Sequence, residues 1–176
     1  IASVSRESES VSYGSNAAGS TATIMSSDAQ FTYGFDGWYN GSTRVSTAVT
    51  YAPTSITEDV TLEARGTRTT KSYTISVSLD SSAAGRGSVS GGGSYNYGAS
   101  ATVVCTKTNS ADVFDGWYEG STRVSTSLSY QFTVTGARTL VAKILYLDVS
   151  TTSLSYGASG GSQTFKITTN TNWSIS

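Results

Sequence analysis

The chain has 176 residues, a net charge of −1, one Cys and no His. Without His it lacks the commonest general base and metal ligand, and a single Cys excludes disulfide frameworks and zinc clusters. A charge this small leaves no electrostatic footprint for nucleic acid or an anionic membrane, and 33 Ser, 27 Thr and eleven Tyr among few helix formers predict an all-β fold.

An internal repeat organises the chain. Phe35–Thr47 (FDGWYNGSTRVST) returns as Phe114–Thr126 (FDGWYEGSTRVST), identical at twelve of thirteen positions and offset by 79. Upstream, Thr21–Ile24 lies over Ser100–Val103; downstream, Thr61–Arg65 lies over Thr139–Lys143, one residue shorter. The resulting boundaries are a first module over 1–70, a second over 71–146 and a tail over 147–176. In the first module, the equivalent of the opening strand of the second is missing or blurred at Ile1–Glu9. A flexible linker is expected at Gly66–Ser72, making a short rod of two globules.

The second module opens on Tyr73–Asp80, where Tyr73, Ile75, Val77 and Leu79 share one strand face. A Gly/Ser-rich turn region is expected over Ala84–Ser94. Strands come next near Ala99–Lys107, Val113–Tyr118, Thr122–Thr126, Ser129–Val134 and Thr139–Tyr146. The tail predicts strands near Ser153–Tyr156, Ser162–Thr168 and Trp173–Ile175. Thirty residues bury too little to fold alone, so the tail either packs on the second module or begins a third domain, the reading we favour. No window carries a clean helical period, and no stretch is long enough to span a bilayer as a helix.

The second copy, with GSVSGGGSYNYGASATV, FDGWYEG and TLVAK in order, resembles the divergent internalin-B-type B repeat, related to the Listeria–Bacteroides repeat. The resemblance covers the second copy and most of the first. It implies a β-grasp-like module, although the stretch where a grasp helix would sit, Thr106–Asp112, is too short for much helix. The tail is similar to the opening of a BACON domain, a β-sandwich of Bacteroidetes surface and glycan-processing proteins. The expected fold class is therefore all-β: two tandem small sheet modules plus a short C-terminal segment of a truncated sandwich. The resemblance further implies an extracellular or outer-surface location and a Gram-negative bacterial source.

The repeated hairpin supplies the candidate sites. Asn40–Gly41 favours a type I′ turn, with Glu119–Gly120 a weaker version. A two-residue turn pairs Trp38 with Thr43 and sets Asp36 and Trp38 on one face, with Phe35, Tyr39 and Arg44 on the other. A three-residue loop instead sets Arg44 opposite Trp38, and both registers stay open. Trp38, Trp117, Phe35 and Phe114 are core anchors; Trp38 and Trp117 with the adjacent Tyr could instead form a platform for sugar rings. Tyr39 and Tyr118, on the opposite face, are expected exposed and are candidate ligand contacts, as are Tyr95 and Tyr97 in the Gly-rich stretch. Trp173, by the BACON resemblance, is a core residue. Asp36 and Asp115 can accept backbone N–H bonds at a bulge or pair with Arg44 and Arg123 across the hairpin.

No catalytic residue, metal ligand or cofactor is assigned. Glu119 is four residues from Asp115, but Asn40 replaces it in the first copy, so no carboxylate pair recurs for glycoside hydrolysis. Cys105 aligns with Ser26 and shares a strand face with Ala101 and Val103, as a buried, unreactive thiol does. Gly87–Gly98 lacks the Lys and following helix of a phosphate loop. The expected function is a non-enzymatic spacer or adhesion segment. The alternative is a carbohydrate- or mucin-binding accessory of a larger glycan-processing protein, with host or dietary glycans, mucin or another surface protein as partner and neither nucleic acid nor membrane insertion.

Overall fold

Where apolar residues alternate with Ser and Thr the chain forms strands, because one face is buried and the hydroxyl face remains in water. A computed structural model describes residues 2–150, 155 and 157–174. These carry no α-helix, only a 3₁₀ turn at Ser81–Ala83, so none of them forms a helix able to cross a membrane. By its internal contacts the chain divides into two units, 1–71 and 72–176.

The first unit runs through β1 (Ser3–Val4), β2 (Ser20–Thr23), β3 (Phe31–Asn40), β4 (Thr43–Ser46), β5 (Thr50–Tyr51) and β6 (Leu62–Thr70). Two three-stranded sheets result, in the orders β1-β2-β5 and β4-β3-β6. β3 and β6 pair antiparallel along nearly their whole length, from Phe31 opposite Thr70 to Asn40 opposite Leu62. The stretch Gly66–Ser72, expected as a linker, is strand instead: β6 continues to Thr70 and the next strand begins at Ser72. Its Thr-rich β-branched residues suit a pleated ladder better than a coil.

The second unit contains β7 (Ser72–Leu79), β8 (Gly87–Ser90), β9 (Gly93–Asn96), β10 (Ser100–Lys107), β11 (Val113–Glu119), β12 (Thr122–Ser125), β13 (Ser129–Thr133), β14 (Arg138–Leu145), β15 (Leu147–Val149) and β16 (Ile167–Thr169). Its main sheet has the order β12-β11-β14-β7-β9, faced by β13-β10-β8. β14 and β7 are parallel, with Leu140 opposite Val77 and Ala142 opposite Leu79. Alternate residues of β7, β10, β11 and β14 meet in one core: Ile75, Val103, Trp117, Leu140, Ala142 and Ile144 are all buried. The Gly-rich stretch expected as one flexible turn holds two short strands, β8 on β10 and β9 on β7. Consequently Tyr95 and Tyr97, expected exposed, are half-buried; Tyr95 packs on the core and donates its hydroxyl to Gly91 O at 2.8 Å.

Thr106–Asp112 forms no helix; it continues β10 and then turns, with Lys107 Nζ donating to Ser110 O at 3.1 Å and to Asp112 O. Cys105 is 2% exposed, and burial pushes its thiol pKa up. A disulfide reagent will therefore label Cys105 only as fast as the second unit opens, and quickly in denaturant. Fast labelling of the folded chain would contradict its burial.

The tail's hairpin, β15 with β16, lies on the second unit through Asn170. That side chain donates to Ile144 O at 2.7 Å and accepts from Tyr146 N at 3.1 Å. Arg86 pairs with Asp148 and stacks its guanidinium 3.8 Å from the Tyr146 ring centroid. Of the expected strand at Ser162–Thr168, only its end is strand. Ser153, Leu154, Tyr156 and Ile175 lie outside the described residues. Trp173, expected in a core, is 49% exposed and in no strand; the tail's described residues supply no second apolar layer to cover an indole.

Candidate functional site

The repeated hairpin is built on two irregularities that alternation alone does not reveal. Against β6, β3 pairs Phe35 with Gly66 and then Gly37 with Arg65, so Asp36 is an extra, bulged residue. Asp115 is likewise bulged in β11, between the pairs Phe114–Ile144 and Gly116–Lys143. One extra residue inverts the facing of every later residue in the strand. Phe35 and Trp38 therefore share a face, with ring centroids 6.2 Å apart, as do Phe114 and Trp117 at 6.2 Å. Trp38 is 3% exposed and Trp117 0%, while Phe35 and Phe114 are half-buried beside them.

Neither hairpin register expected from Asn40–Gly41 is the one formed. Asn40 pairs with Thr43 and Tyr39 with Arg44; a second bulge then sets Trp38 opposite Ser46. The loop is Gly41–Ser42, and only its first residue has positive φ (+58°), the pattern of a type II′ turn. The second copy repeats this at Gly120–Ser121, with φ +60° at Gly120. Because Asn40 and Glu119 sit at the strand end rather than in the loop, their difference does not disturb the turn.

On the outer face the same bulge collects polar groups. Tyr39 Oη donates to Asp36 Oδ2 at 2.5 Å, and Arg44 Nη1 donates to Asp36 Oδ1 at 3.3 Å. In the second copy Tyr118 Oη reaches Asp115 Oδ2 at 2.6 Å and Arg123 Nη1 reaches Oδ1 at 2.9 Å. A cation covers each ring: Arg65 lies 4.2 Å from the Tyr39 centroid and Lys143 4.3 Å from that of Tyr118. Tyr39 and Tyr118, expected exposed, are thus half-buried, with one ring face and the hydroxyl already engaged. The sequence carries a signal for this cluster, since the Asp, the Arg and the basic residue recur together in both copies. Alternation alone does not bring the basic residue over the ring.

The glycine between Asp and Trp has a steric reason. A Cβ on Gly116 would stand 2.6 Å from Ser125 O and 2.7 Å from Arg123 Cδ, and on Gly37 it would meet Ser46 O and Arg44 Cδ at the same distances. The Arg stem crosses the strand there to reach the Asp. Glu119 is held apart from Asp115 chemically as well: Arg138 Nη2 donates to it at 2.8 Å, while Arg123 holds Asp115. Among the described residues no group of three His, Cys, Asp or Glu could hold a metal ion.

Both Tyr hydroxyls are held above the ordinary phenol value, first by the hydrogen bond to Asp, then by burial and the Asp charge. A pKa raised in the folded state means the folded chain binds that proton more tightly. This contribution to stability is complete below the unfolded value near 10.0 and is lost as pH rises through the folded one. Ultraviolet titration should therefore show phenol ionisation reaching above the ordinary range, and Asp36→Asn plus Asp115→Asn should bring that part of the curve down. A titration curve left unchanged by the double substitution would mean the hydrogen bonds are absent in solution.

Comparison with known families gives the same division. Residues 77–144 match the divergent InlB B-repeat domain, and residues 5–65 match the Listeria-Bacteroides repeat domain. No curated protein and no solved structure matches the chain. The two hairpins, alike in bulge, turn and buried Trp, are thus the shared core of a tandem in which a Listeria-Bacteroides repeat domain is followed by a divergent InlB B-repeat domain.

Proposed function

We propose that the chain acts as a non-catalytic spacer or adhesion segment of a bacterial surface or secreted protein, the setting typical of these repeat families. One observation carries this reading. The residues both copies retain are engaged within the fold: Phe and Trp in the core, Gly under the Arg stem, Asp with Tyr and Arg. Repetition therefore preserves the module itself, and linked modules add reach and effective concentration without new contacts. A carbohydrate- or mucin-binding role has weaker support, because stacking a sugar on Tyr39 or Tyr118 would have to use the ring face left by Arg65 or Lys143.

The test places the chain between a cell-surface anchor and a head of known ligand. Capture of that ligand from a surface should rise with the number of inserted chains, and should persist when unrelated β modules of equal size replace them. Loss of capture on that replacement, or binding of the purified chain to mucin, would overturn the spacer reading in favour of recognition.

A further inference from the structure

The chain holds six Asn, and one of them stands in different surroundings from the rest. Asn16 Oδ1 accepts from Ser55 N at 3.1 Å, Asn96 Oδ1 from Ser72 Oγ at 2.7 Å and Asn109 Oδ1 from Ala111 N at 3.0 Å. Asn170 donates to Ile144 O and accepts from Tyr146 N. Asn172 precedes Trp173, a bulky residue that obstructs approach to its own nitrogen. Asn40 is exposed, its side chain has no hydrogen-bond partner among the described residues, and its successor is Gly41. A Cβ on Gly41 would meet nothing within 4 Å, so the turn is open on that side. Asn40 is also the last residue of β3, where the ladders to Thr43 and Leu62 end.

We propose that Asn40–Gly41 is a site of spontaneous covalent modification, deamidation through a cyclic imide. The Gly41 nitrogen gives up its proton and attacks Asn40 Cγ; the Cγ–Nδ2 bond breaks and ammonia leaves. Water then opens the imide at either carbonyl, leaving Asp or the β-linked isoAsp, with no change of oxidation state. Glycine suits the attack, since without a Cβ it leaves its nitrogen unhindered and the turn free to rearrange. Arg65 Nη2 donates to Gly41 O at 2.9 Å, and a cation there favours the anionic nitrogen. The two Asp-Gly pairs could close the same ring, but Asp36 and Asp115 are already held by Tyr and Arg, and an ionised carboxylate is a poor electrophile. The second hairpin carries Glu119 in place of Asn40 and has no amide to lose. The isoAsp product lengthens the main chain by a methylene, which parts the pairs with Thr43 and Leu62. The tandem thus has one hairpin that ages and one that does not. This inference does not depend on the spacer reading, since the reaction needs no partner.

The experiment incubates the full folded chain in mildly alkaline buffer and follows every Asn-containing fragment by mass spectrometry, separating Asp from isoAsp forms by chromatography. Asn40 should convert at least about tenfold faster than any of the other five, and should give both products. Gly41→Asp, a residue that tolerates positive φ, should slow conversion at least about tenfold. Conversion at another Asn as fast as at Asn40, or an unslowed Gly41→Asp chain, would overturn the proposal. So would an Asn40 that stays intact in the folded chain while a free peptide of residues 35–47 converts, because the fold would then protect the site.

Discussion

Trp117→Ala should remove a large share of the stability of the second unit, about 3–5 kcal/mol as for other large aromatic truncations in cores. Trp117 is fully buried and touches the strands on both sides of it, with Phe114 edge-on against its indole. Domains of this size have on the order of 5–15 kcal/mol in total, so such a loss moves the urea midpoint far down. Circular dichroism is the right probe, since the substitution removes a fluorophore. Trp117→Phe should cost less. The indole Nε1 is buried with no hydrogen-bond partner among the described residues, so Phe leaves a smaller void and orphans no polar atom. An unchanged midpoint for Trp117→Ala would refute the anchoring role.

Gly116→Ala should be the second most damaging single change in the hairpin. The added Cβ meets a backbone oxygen, Ser125 O, at 2.6 Å, and a backbone atom moves less readily than a side-chain tip. Forced shifts of this kind cost about 1–3 kcal/mol. Gly116 also has φ +154°, which L side chains rarely adopt, adding on the order of 1 kcal/mol. Gly37 has the same close contacts without a positive φ, so Gly37→Ala isolates the contact from the backbone strain. Chemical denaturation of both variants should show the larger loss at Gly116. Arg123→Ala should not rescue Gly116→Ala, because the nearest obstacle is main chain. Rescue by that second substitution would show that the Arg stem, not Ser125, is the group the methyl meets.

Much of this fold was legible because its main signal is a period of two. The strands of the second unit from β10 to β14 track the alternation closely, and the duplication marked both copies. Alternation conceals any place where the period slips. The bulges at Asp36 and Asp115 reversed the expected partition of the hairpin, joining Phe35 to Trp38 and Asp36 to Tyr39. The turn was misplaced for a related reason: Asn40–Gly41 has stronger local chemistry than Gly41–Ser42, yet the ladder to Arg44 selects the latter. A comparison of the copies held the correction, since Gly–Ser is common to both loops and Asn is not. Trp173 shows the opposite limit, where a resemblance proposed a core that the described residues do not form.

The bulged Asp also makes the hairpin's two faces severable. Phe and Trp would share a face in an unbulged strand if that one residue were absent, because Phe-Gly-Trp is itself in step with the pleat. The inner anchor therefore does not require Asp36 or Asp115; the outer Tyr and Arg do. A single codon thus separates a repeat that merely packs from one that also fastens its outer side.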